Sequence, residues 1–300
     1  MKLSFSTNAY TSGKYTLIQA INKIAEAGYK GVEILADRPL LWPFSVTKKE
    51  INETRKTLAE RALNSTINAF TCSQYWTRKG WSKKPPKGGG PSGQKFGPCF
   101  CDYEEEYRAK RITYTKKVID LACQLGARDI STCSGYRPLR GTRELAWENM
   151  VKGLKEVVKY AEKKGTRINI EPEPGLLVGS AKEAEEVLKE IKSPNFGLTF
   201  DIGHFFVSDK NIPALIKKFR KRIHTVHVED IGFDKKKRPV HYHLIPGRGE
   251  MPLKKIFHAF KEINYQGSYT VELYTYFKNP VFAARESFKY LTKLGKKLGL

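Results

Sequence analysis

Short apolar runs rich in β-branched and aromatic residues alternate with helical patterns from one end of this chain to the other. Eight such runs predict strands, and apolar residues recur at helical spacing after each of them. The predicted strands span residues 3–8, 31–36, 65–70, 129–134, 167–172, 196–201, 224–229 and 268–273. This alternation is typical of parallel strands that are joined by crossover helices.

Local signals for helix starts support this division of the chain. Thr47 with Glu50, and Ser180 with Glu183, have the spacing of a capping box, in which each side chain bonds the other residue's backbone amide. Pro252 precedes a further amphipathic stretch, as expected for proline in the first turn of a helix. The sequence therefore predicts helices between the strands.

The number of units indicates the fold. Eight strand–helix units in 300 residues predict a single (β/α)8 TIM barrel, an α/β fold, that occupies residues 1–300 as one domain, since such a barrel needs about 250 residues. A doubly wound open sheet is the alternative fold. No glycine-rich dinucleotide-binding motif follows the first strand, and this favours the barrel.

A long segment at about 73–103 interrupts the pattern after the third predicted strand. It is rich in Trp, Pro and Gly and exceeds ordinary connections in length, so we expect a lid or a binding loop. Cys99 and Cys101 form a C-x-C pair within it. Without a second pair they make a poor zinc site, and a labile disulfide or a lid contact are the other interpretations.

Composition limits the class of protein. Hydrophobic content of 40% and charged content of 28% fit a globular chain, and no apolar stretch approaches the roughly 20 residues that span a bilayer. The start lacks a signal-peptide core, so we expect a cytoplasmic protein. The net charge of +23 would attract anions, nucleic acid included. No basic run is interleaved with a nucleic-acid motif, so a Lys-rich solvated surface is the favoured interpretation.

Four polar side chains stand where apolar strands end: Glu171, Asp201, His227 and Glu272. In a parallel β/α protein the carboxyl ends of the strands converge on one face. Carboxylate and imidazole donors of this kind suit Mn, Mg, Co or Zn. The sequence therefore predicts that these four residues hold a divalent cation.

The two glutamates also suggest a reaction. A metal that holds adjacent carbonyl and hydroxyl oxygens acidifies the C–H bond between them. One of Glu171 and Glu272 would remove the proton, and the other would return it to the opposite face or to the neighbouring carbon. The result is epimerisation or isomerisation through an enediolate.

Further candidates lie beside these four. Glu173 follows Glu171 by two residues and points the same way if the strand continues, as a ligand or as a substrate contact. His204 is interpreted as a substrate contact or as a ligand of a second metal. Glu229, close after His227, is expected to orient the ligands.

Two more histidines lie in the stretch that leads to the last strand. His241 and His243 are two residues apart in an extended segment, and with His204 they would form a second metal site or contact substrate oxygens. Arg248 lies between two glycines that let the backbone approach a ligand, so we expect it to meet an anionic group of the substrate.

At these residues the chain resembles the xylose isomerase-like TIM barrel superfamily, which includes sugar isomerases, ketose 3-epimerases, inosose dehydratases and endonuclease IV. The resemblance runs from INIEPEPG through FGLTFDIGH, VHVED and HLIPGRGEMPL to YTVELY and covers nearly the whole chain. It implies that the positions of Glu171, Asp201, His227 and Glu272 hold one Mn or Co ion, with the two glutamates as acid and base. It further implies that His204 contacts substrate.

Endonuclease IV is the rival within this superfamily. Its three zinc ions need histidines after the third and fourth strands, where this chain reads NAFTCSQ and ISTCSGY. Its Asp-x-His motif is similar to His241-Tyr242-His243, so a second metal remains open. Arg137 and Arg140, with Arg248, are alternatives for binding a sugar phosphate.

The sequence is thus interpreted as a divalent-metal-dependent sugar or sugar-phosphate isomerase or epimerase with Mn, Co or Mg as cofactor, or Zn. We expect a small carbohydrate substrate, a homo-oligomer, and neither a nucleic-acid nor a membrane partner. A dehydratase or lyase with the same enolate chemistry, an abasic-site DNA repair enzyme and a barrel that only binds a ligand are the alternatives.

Overall fold

Eight parallel strands close into a barrel, with β1 paired to both β2 and β8. The computed structural model describes residues 1–71, 97–136 and 141–300, and the backbone of 76–77 and 80–81. The barrel strands are β1 Lys2–Ser6, β2 Gly31–Leu35, β3 Asn64–Asn68, β4 Asp129–Thr132, β5 Arg167–Ile170, β6 Phe196–Asp201, β7 Ile223–Val228 and β8 Ser268–Val271. The predicted TIM barrel is confirmed, and the open-sheet alternative is wrong because β1 and β8 pair directly.

Helices follow the strands and pack around the barrel. They are α1 Leu17–Glu26, α2 Lys48–Glu60, α3 Glu105–Leu125, α4 Arg143–Lys163, α5 Ala181–Glu190, α6 Ile202–Ser208, α7 Ile212–Phe219, α8 Leu253–Glu262 and α9 Pro280–Leu298. Short 3-10 helices at Thr7–Tyr10 and Tyr274–Tyr276 follow β1 and β8. None of the helices in the described part of the chain is long and apolar enough to cross a membrane.

Caps explain several helix starts. Thr47 and Glu50 form the predicted capping box. The Glu50 amide donates to Thr47 Oγ1 at 3.2 Å, and the Thr47 amide donates to the Glu50 carboxylate at 2.7 Å. Ser180 instead accepts the Lys182 amide and donates its hydroxyl to the Glu183 carboxylate, so the second box forms in altered geometry. The short helix α6, which the sequence pattern does not predict, begins at Ile202, and Asp201 is its N-cap.

Predicted strand ends run about two residues too far at β1, β3, β4, β5 and β8. The polar residues there leave the sheet and turn into the mouth of the barrel, so Glu171 and Glu272 lie directly after the last paired residues. His224, near the start of β7, hydrogen-bonds through Nδ1 with Asn169 Oδ1 at 2.6 Å within the barrel. That contact ties His224 to β5 inside the barrel.

Most of the predicted 73–103 lid lies outside the described residues, as do Arg137 and Arg140. The described end of this segment packs into the core. Cys99 and Cys101 are buried and reduced, Cys101 Sγ lies 3.0 Å from the carbonyl of Tyr136, and the Cys99 amide donates to Asp102 at 2.6 Å. No disulfide joins this pair, and both side chains pack into the core.

Candidate metal centre and active site

The four predicted ligands converge at the carboxyl ends of neighbouring strands. Glu171 directly follows β5, Asp201 is the last residue of β6, His227 lies in β7 and Glu272 directly follows β8. Asp201 and His227 are register partners across β6 and β7. Each of the four offers one ligand atom, and these atoms lie within 4.8 Å of one another.

His227 lies at the centre of this group. Its Nδ1 lies 3.0 Å from Glu171 Oε1, 3.9 Å from Asp201 Oδ2 and 3.8 Å from Glu272 Oε1. All four side chains are buried, with Glu272 the most exposed at 8%. Three carboxylates therefore meet one imidazole nitrogen in a place that bulk water hardly reaches.

Glu33, which the sequence analysis missed, faces the other nitrogen of the same ring. Its Oε2 lies 2.8 Å from His227 Nε2, and the side chain is 2% exposed in the middle of β2. A carboxylate inside an otherwise apolar strand is costly without a partner, and that was the available signal. Glu33 is suited to hold the Nε2 proton, which leaves the Nδ1 lone pair for an ion.

Two asparagines fix the glutamates. Asn8 Nδ2 donates to Glu272 Oε1 at 2.9 Å, and Asn68 Nδ2 lies 3.2 Å from Glu33 Oε1 and 3.4 Å from Glu272 Oε1. Asn8 and Asn68 come from the carboxyl ends of β1 and β3, so the site draws residues from most of the barrel. The amide donors leave the carboxylates able to act as acceptors or bases.

Burial and mutual repulsion shift the protonation of the cluster. Burial raises the pKa of Glu171 to about 7 and raises the pKa of Glu272 well above its ordinary value, in each case against the attraction of His227. Burial alone would lower the pKa of His227, but Glu171, Glu33 and Glu272 raise it well above its ordinary value. Without a metal, protons therefore balance part of the negative charge.

The donor set fits a divalent ion. Glu171 Oε2 and Asp201 Oδ2 are buried and have no hydrogen-bond partner among the described atoms. Three carboxylates and one imidazole match the preferences of Mn, Co or Zn, and an ion with bonds of about 2.0–2.3 Å fits inside such a group. The residues therefore agree with the expected metal.

Three further histidines lie beside this cluster, as predicted for His204, His241 and His243. Each offers one nitrogen, and the three nitrogens lie within 4.8 Å of one another. His204 Nδ1 bonds the Pro172 carbonyl at 3.0 Å, and His243 Nδ1 bonds the Glu272 carbonyl at 2.9 Å. Burial lowers the pKa of His243 to about 3 and that of His204 well below its ordinary value, so both rings are neutral at pH 7.

A cavity of about 490 Å³ opens above the cluster. Its described lining is made by acidic, imidazole, amide and aromatic groups, which suits a polyhydroxylated ligand. The lining residues include Glu171, Glu173, Glu272, His204, His241, Asn8, Asn68, Tyr136 and Tyr274. Asp201, His227 and His243 are not part of the described lining and lie behind it.

The two predicted substrate contacts at Glu173 and Arg248 have different positions. Glu173 is half-buried and lines the cavity. Arg248 turns outward to α9, where its guanidinium lies 3.2 Å from Glu286 and 5.0 Å from the ring centre of Phe282. Asp230 accepts the Gly247 amide at 2.8 Å and holds this turn against the strand end, so Arg248 is not brought to the described cavity.

Glu229 reaches the metal cluster from behind. It is fully buried, and its Oε1 accepts the Gly203 amide at 2.5 Å. A Cβ at Gly203 would lie 2.2 Å from that oxygen, so only glycine leaves room for the carboxylate. Asp201, Glu229 and His243 each offer a ligand atom within 4.8 Å of the others.

A parallel eight-stranded barrel with carboxylates and imidazoles gathered at its carboxyl-terminal mouth defines the class of protein. The chain belongs to the xylose isomerase-like TIM barrel family, whose family description matches residues 21–294.

Curated relatives of the chain include enzymes. Inosose dehydratase of Clostridium beijerinckii is 26% identical over 269 residues, covering 86% of this chain and 82% of that relative. Fructoselysine 3-epimerase of Shigella flexneri is 24% identical over 289 residues, covering 94% of this chain and 95% of that relative.

Solved structures of similar proteins share the fold. A D-tagatose 3-epimerase-like protein superposes with a TM-score of 0.79 at 21% identity. The superposition covers 100% of this chain and 98% of that protein. The IOLI protein with a binding zinc atom gives a TM-score of 0.78 at 20% identity, with 99% of each chain covered.

Proposed function

We propose that the protein is a divalent-metal-dependent isomerase or epimerase that acts on a sugar or sugar phosphate by proton transfer through an enediolate. The observation that supports this most directly is the buried group of Glu171, Asp201, His227 and Glu272, of which the two glutamates line the cavity. These four residues would hold Mn, Co, Mg or Zn. A bound ion would supply the electrophile that acidifies a C–H bond between a carbonyl and a hydroxyl group.

The two glutamates supply the proton transfers. Glu171 and Glu272 both line the cavity and follow β5 and β8, which are separated in the barrel by β6 and β7. A carboxylate held at the ion site beside the substrate is suited to remove or return a proton. Asn8 holds Glu272 in place by a 2.9 Å bond, so the acid or base that returns the proton has a fixed position.

Polar groups of the cavity are proposed to orient the substrate. His204 and His241 line the cavity and would contact substrate oxygens, with Glu173 beside them. The substrates named for the relatives, inosose and fructoselysine, support a polyhydroxylated carbonyl compound.

Hydrogen exchange between substrate and solvent tests the proposal. Metal-stripped protein would be reloaded with Mn²⁺ and incubated in D₂O with a panel of ketoses and inososes, with and without phosphate groups. We expect deuterium at the carbon next to the carbonyl only in reloaded samples, followed by formation of the epimer or isomer. Exchange that persists after chelation, or no exchange with any member of the panel, would count against the proposal.

Dehydration is the second candidate, because a relative of that activity covers most of the chain. The same proton abstraction expels a hydroxyl group if one lies β to the acidified carbon. Loss of water from an inosose, without a stable epimer, would favour this reaction over epimerisation.

A further inference from the structure

Three fully buried side chains meet on the side of Asp201 that faces away from the cavity. Asp201, Glu229 and His243 are each 0% exposed, and one ligand atom of each lies within 4.8 Å of the others. None of the three belongs to the described lining of the cavity. The group is therefore separate from the surface that a substrate would touch.

Each of these side chains is anchored through one polar atom and leaves another without a partner. Asp201 Oδ1 accepts the His204 amide at 2.6 Å, Glu229 Oε1 accepts the Gly203 amide at 2.5 Å, and His243 Nδ1 bonds the Glu272 carbonyl at 2.9 Å. The remaining atoms are Asp201 Oδ2, Glu229 Oε2 and His243 Nε2, and none has a hydrogen-bond partner within the described chain. Buried polar atoms are rarely left in this state.

All three unpartnered atoms are acceptors. The bond from His243 Nδ1 to a carbonyl requires a proton on Nδ1, so Nε2 of the neutral ring presents a lone pair. Two carboxyl side chains and an imidazole lone pair thus converge, and no other described residue donates to these three atoms. A proton shared between Glu229 and Asp201 is what a bound cation would replace. An imidazole that donates its other nitrogen to a carbonyl is also the usual arrangement of a metal-binding histidine.

The buried negative charge around these three side chains also favours a bound cation. Five carboxylates, those of Glu33, Glu171, Asp201, Glu229 and Glu272, are buried around this centre. No Lys or Arg from the described ranges forms an ion pair with any of them; their charged contacts are to histidine. One divalent ion leaves this group strongly anionic, and buried uncompensated charge is costly.

We propose that Asp201, Glu229 and His243 hold a second divalent cation, with Asp201 shared between the two ions. Two carboxylates and one imidazole suit Mn²⁺, Co²⁺ or Zn²⁺. This ion would fix Asp201 and offset charge behind the reaction centre, and it would not touch the substrate. The second site would also explain why glycine stands in the D-I-G-H segment and glutamate in the H-V-E-D segment. Gly203 leaves the space that the Glu229 carboxylate occupies.

The experiment is a count of bound ions, with Mn²⁺ alone as the probe. Metal-stripped protein is dialysed against Mn²⁺ at pH 7.5, and bound metal per chain is measured by mass spectrometry, with electron paramagnetic resonance to detect coupling between two ions. We expect two ions in the unchanged protein, one in Glu229→Gln and one in Glu171→Gln. Glu286→Gln, on the exposed face of α9, is the matched control and should keep two.

The outcomes separate this proposal from the proposed function. One ion in the unchanged protein that survives in Glu229→Gln and is lost in Glu171→Gln would overturn the second site and leave the first intact. Two ions in Glu229→Gln would also overturn it, because Gln removes the charge on which the site depends. If the unchanged protein binds no ion, both the second site and the proposed metal-dependent function are wrong. Circular dichroism checks the fold of each variant. If Glu229→Gln does not fold, His241→Gln separates the two possible second sites: we expect it to keep two ions, and loss of one ion would assign the second ion to His204, His241 and His243 and overturn this proposal.

Discussion

The Nε2 atom of His227 lies 2.8 Å from a carboxylate oxygen of Glu33, and both side chains are buried. This contact determines which nitrogen of the ring faces the predicted ion, because a proton held between Nε2 and Glu33 leaves Nδ1 bare. Carboxylates in this position orient metal-binding histidines and raise their basicity. Glu33 is therefore expected to act on the metal through His227.

Replacing Glu33 by Gln tests this role. We expect the affinity for Mn²⁺ to fall by about 10- to 100-fold, since the neutral amide no longer favours the required tautomer. Competition with a fluorescent chelator measures this affinity without reference to activity. Glu53→Gln, on the exposed face of α2, serves as the control and should bind Mn²⁺ as tightly as the unchanged protein. Equal affinity in both variants would show that Glu33 does not position His227.

The proposed acid and base can be tested at saturating metal. Glu171→Gln and Glu272→Gln should each lower kcat by about 10²- to 10⁴-fold, because a neutral amide cannot exchange the proton. Metal content is measured on the same samples so that loss of the ion and loss of the base are told apart. Near-normal turnover in either metal-loaded variant would contradict the assignment of that residue.

Much of this site is visible in the sequence because the barrel places strand ends together. Glu171, Asp201, His227 and Glu272 each follow or end an apolar run, and a closed parallel barrel brings such positions to one face. Their convergence needs only the correct fold and the approximate strand ends. An error of two residues at the end of β5 does not move Glu171 away from that face.

Other parts of the site depend on contacts that the sequence does not encode locally. Glu33 lies in the middle of β2, and its partner is 194 residues away in sequence. Arg248 has the local features of a ligand contact, but Asp230 binds the adjacent turn and Glu286 and Phe282 take the guanidinium. Neither arrangement follows from spacing alone, because both depend on which side chains from distant elements are neighbours.

Metal-free protein should become less stable as the pH rises from 7 to 9. Glu171, Glu272 and His227 all have a folded-state pKa above the ordinary value, so the native state binds more protons than the unfolded chain in this range. Stability then falls with pH, by linkage. Histidines with a lowered pKa, such as His243, contribute only below about pH 6.5, where unfolded histidine becomes charged.

Thermal unfolding at several pH values measures this effect. We expect Tm of the chelator-treated protein to fall by about 2–4 °C or more per pH unit between 7 and 9. The Mn²⁺-loaded protein should lose less, because bound ions replace the protons and release them to the buffer. A metal-free Tm that is constant or rises over this range would mean that the buried carboxylates are already ionised in the fold.

Arg248 is predicted from the sequence to contact substrate, but the structure places its side chain against α9. Arg248→Ala should leave KM and kcat within about twofold of the unchanged enzyme, since the guanidinium lies on α9 outside the described cavity lining. The lost contacts with Glu286 and Phe282 are partly exposed, so we expect a stability loss of at most about 1 kcal/mol. His204→Ala, which removes a cavity-lining ring, should raise KM under the same assay and serves as the comparison. A tenfold rise in KM for Arg248→Ala, with Tm unchanged, would return Arg248 to the substrate site and require the turn at Gly247 to move during binding.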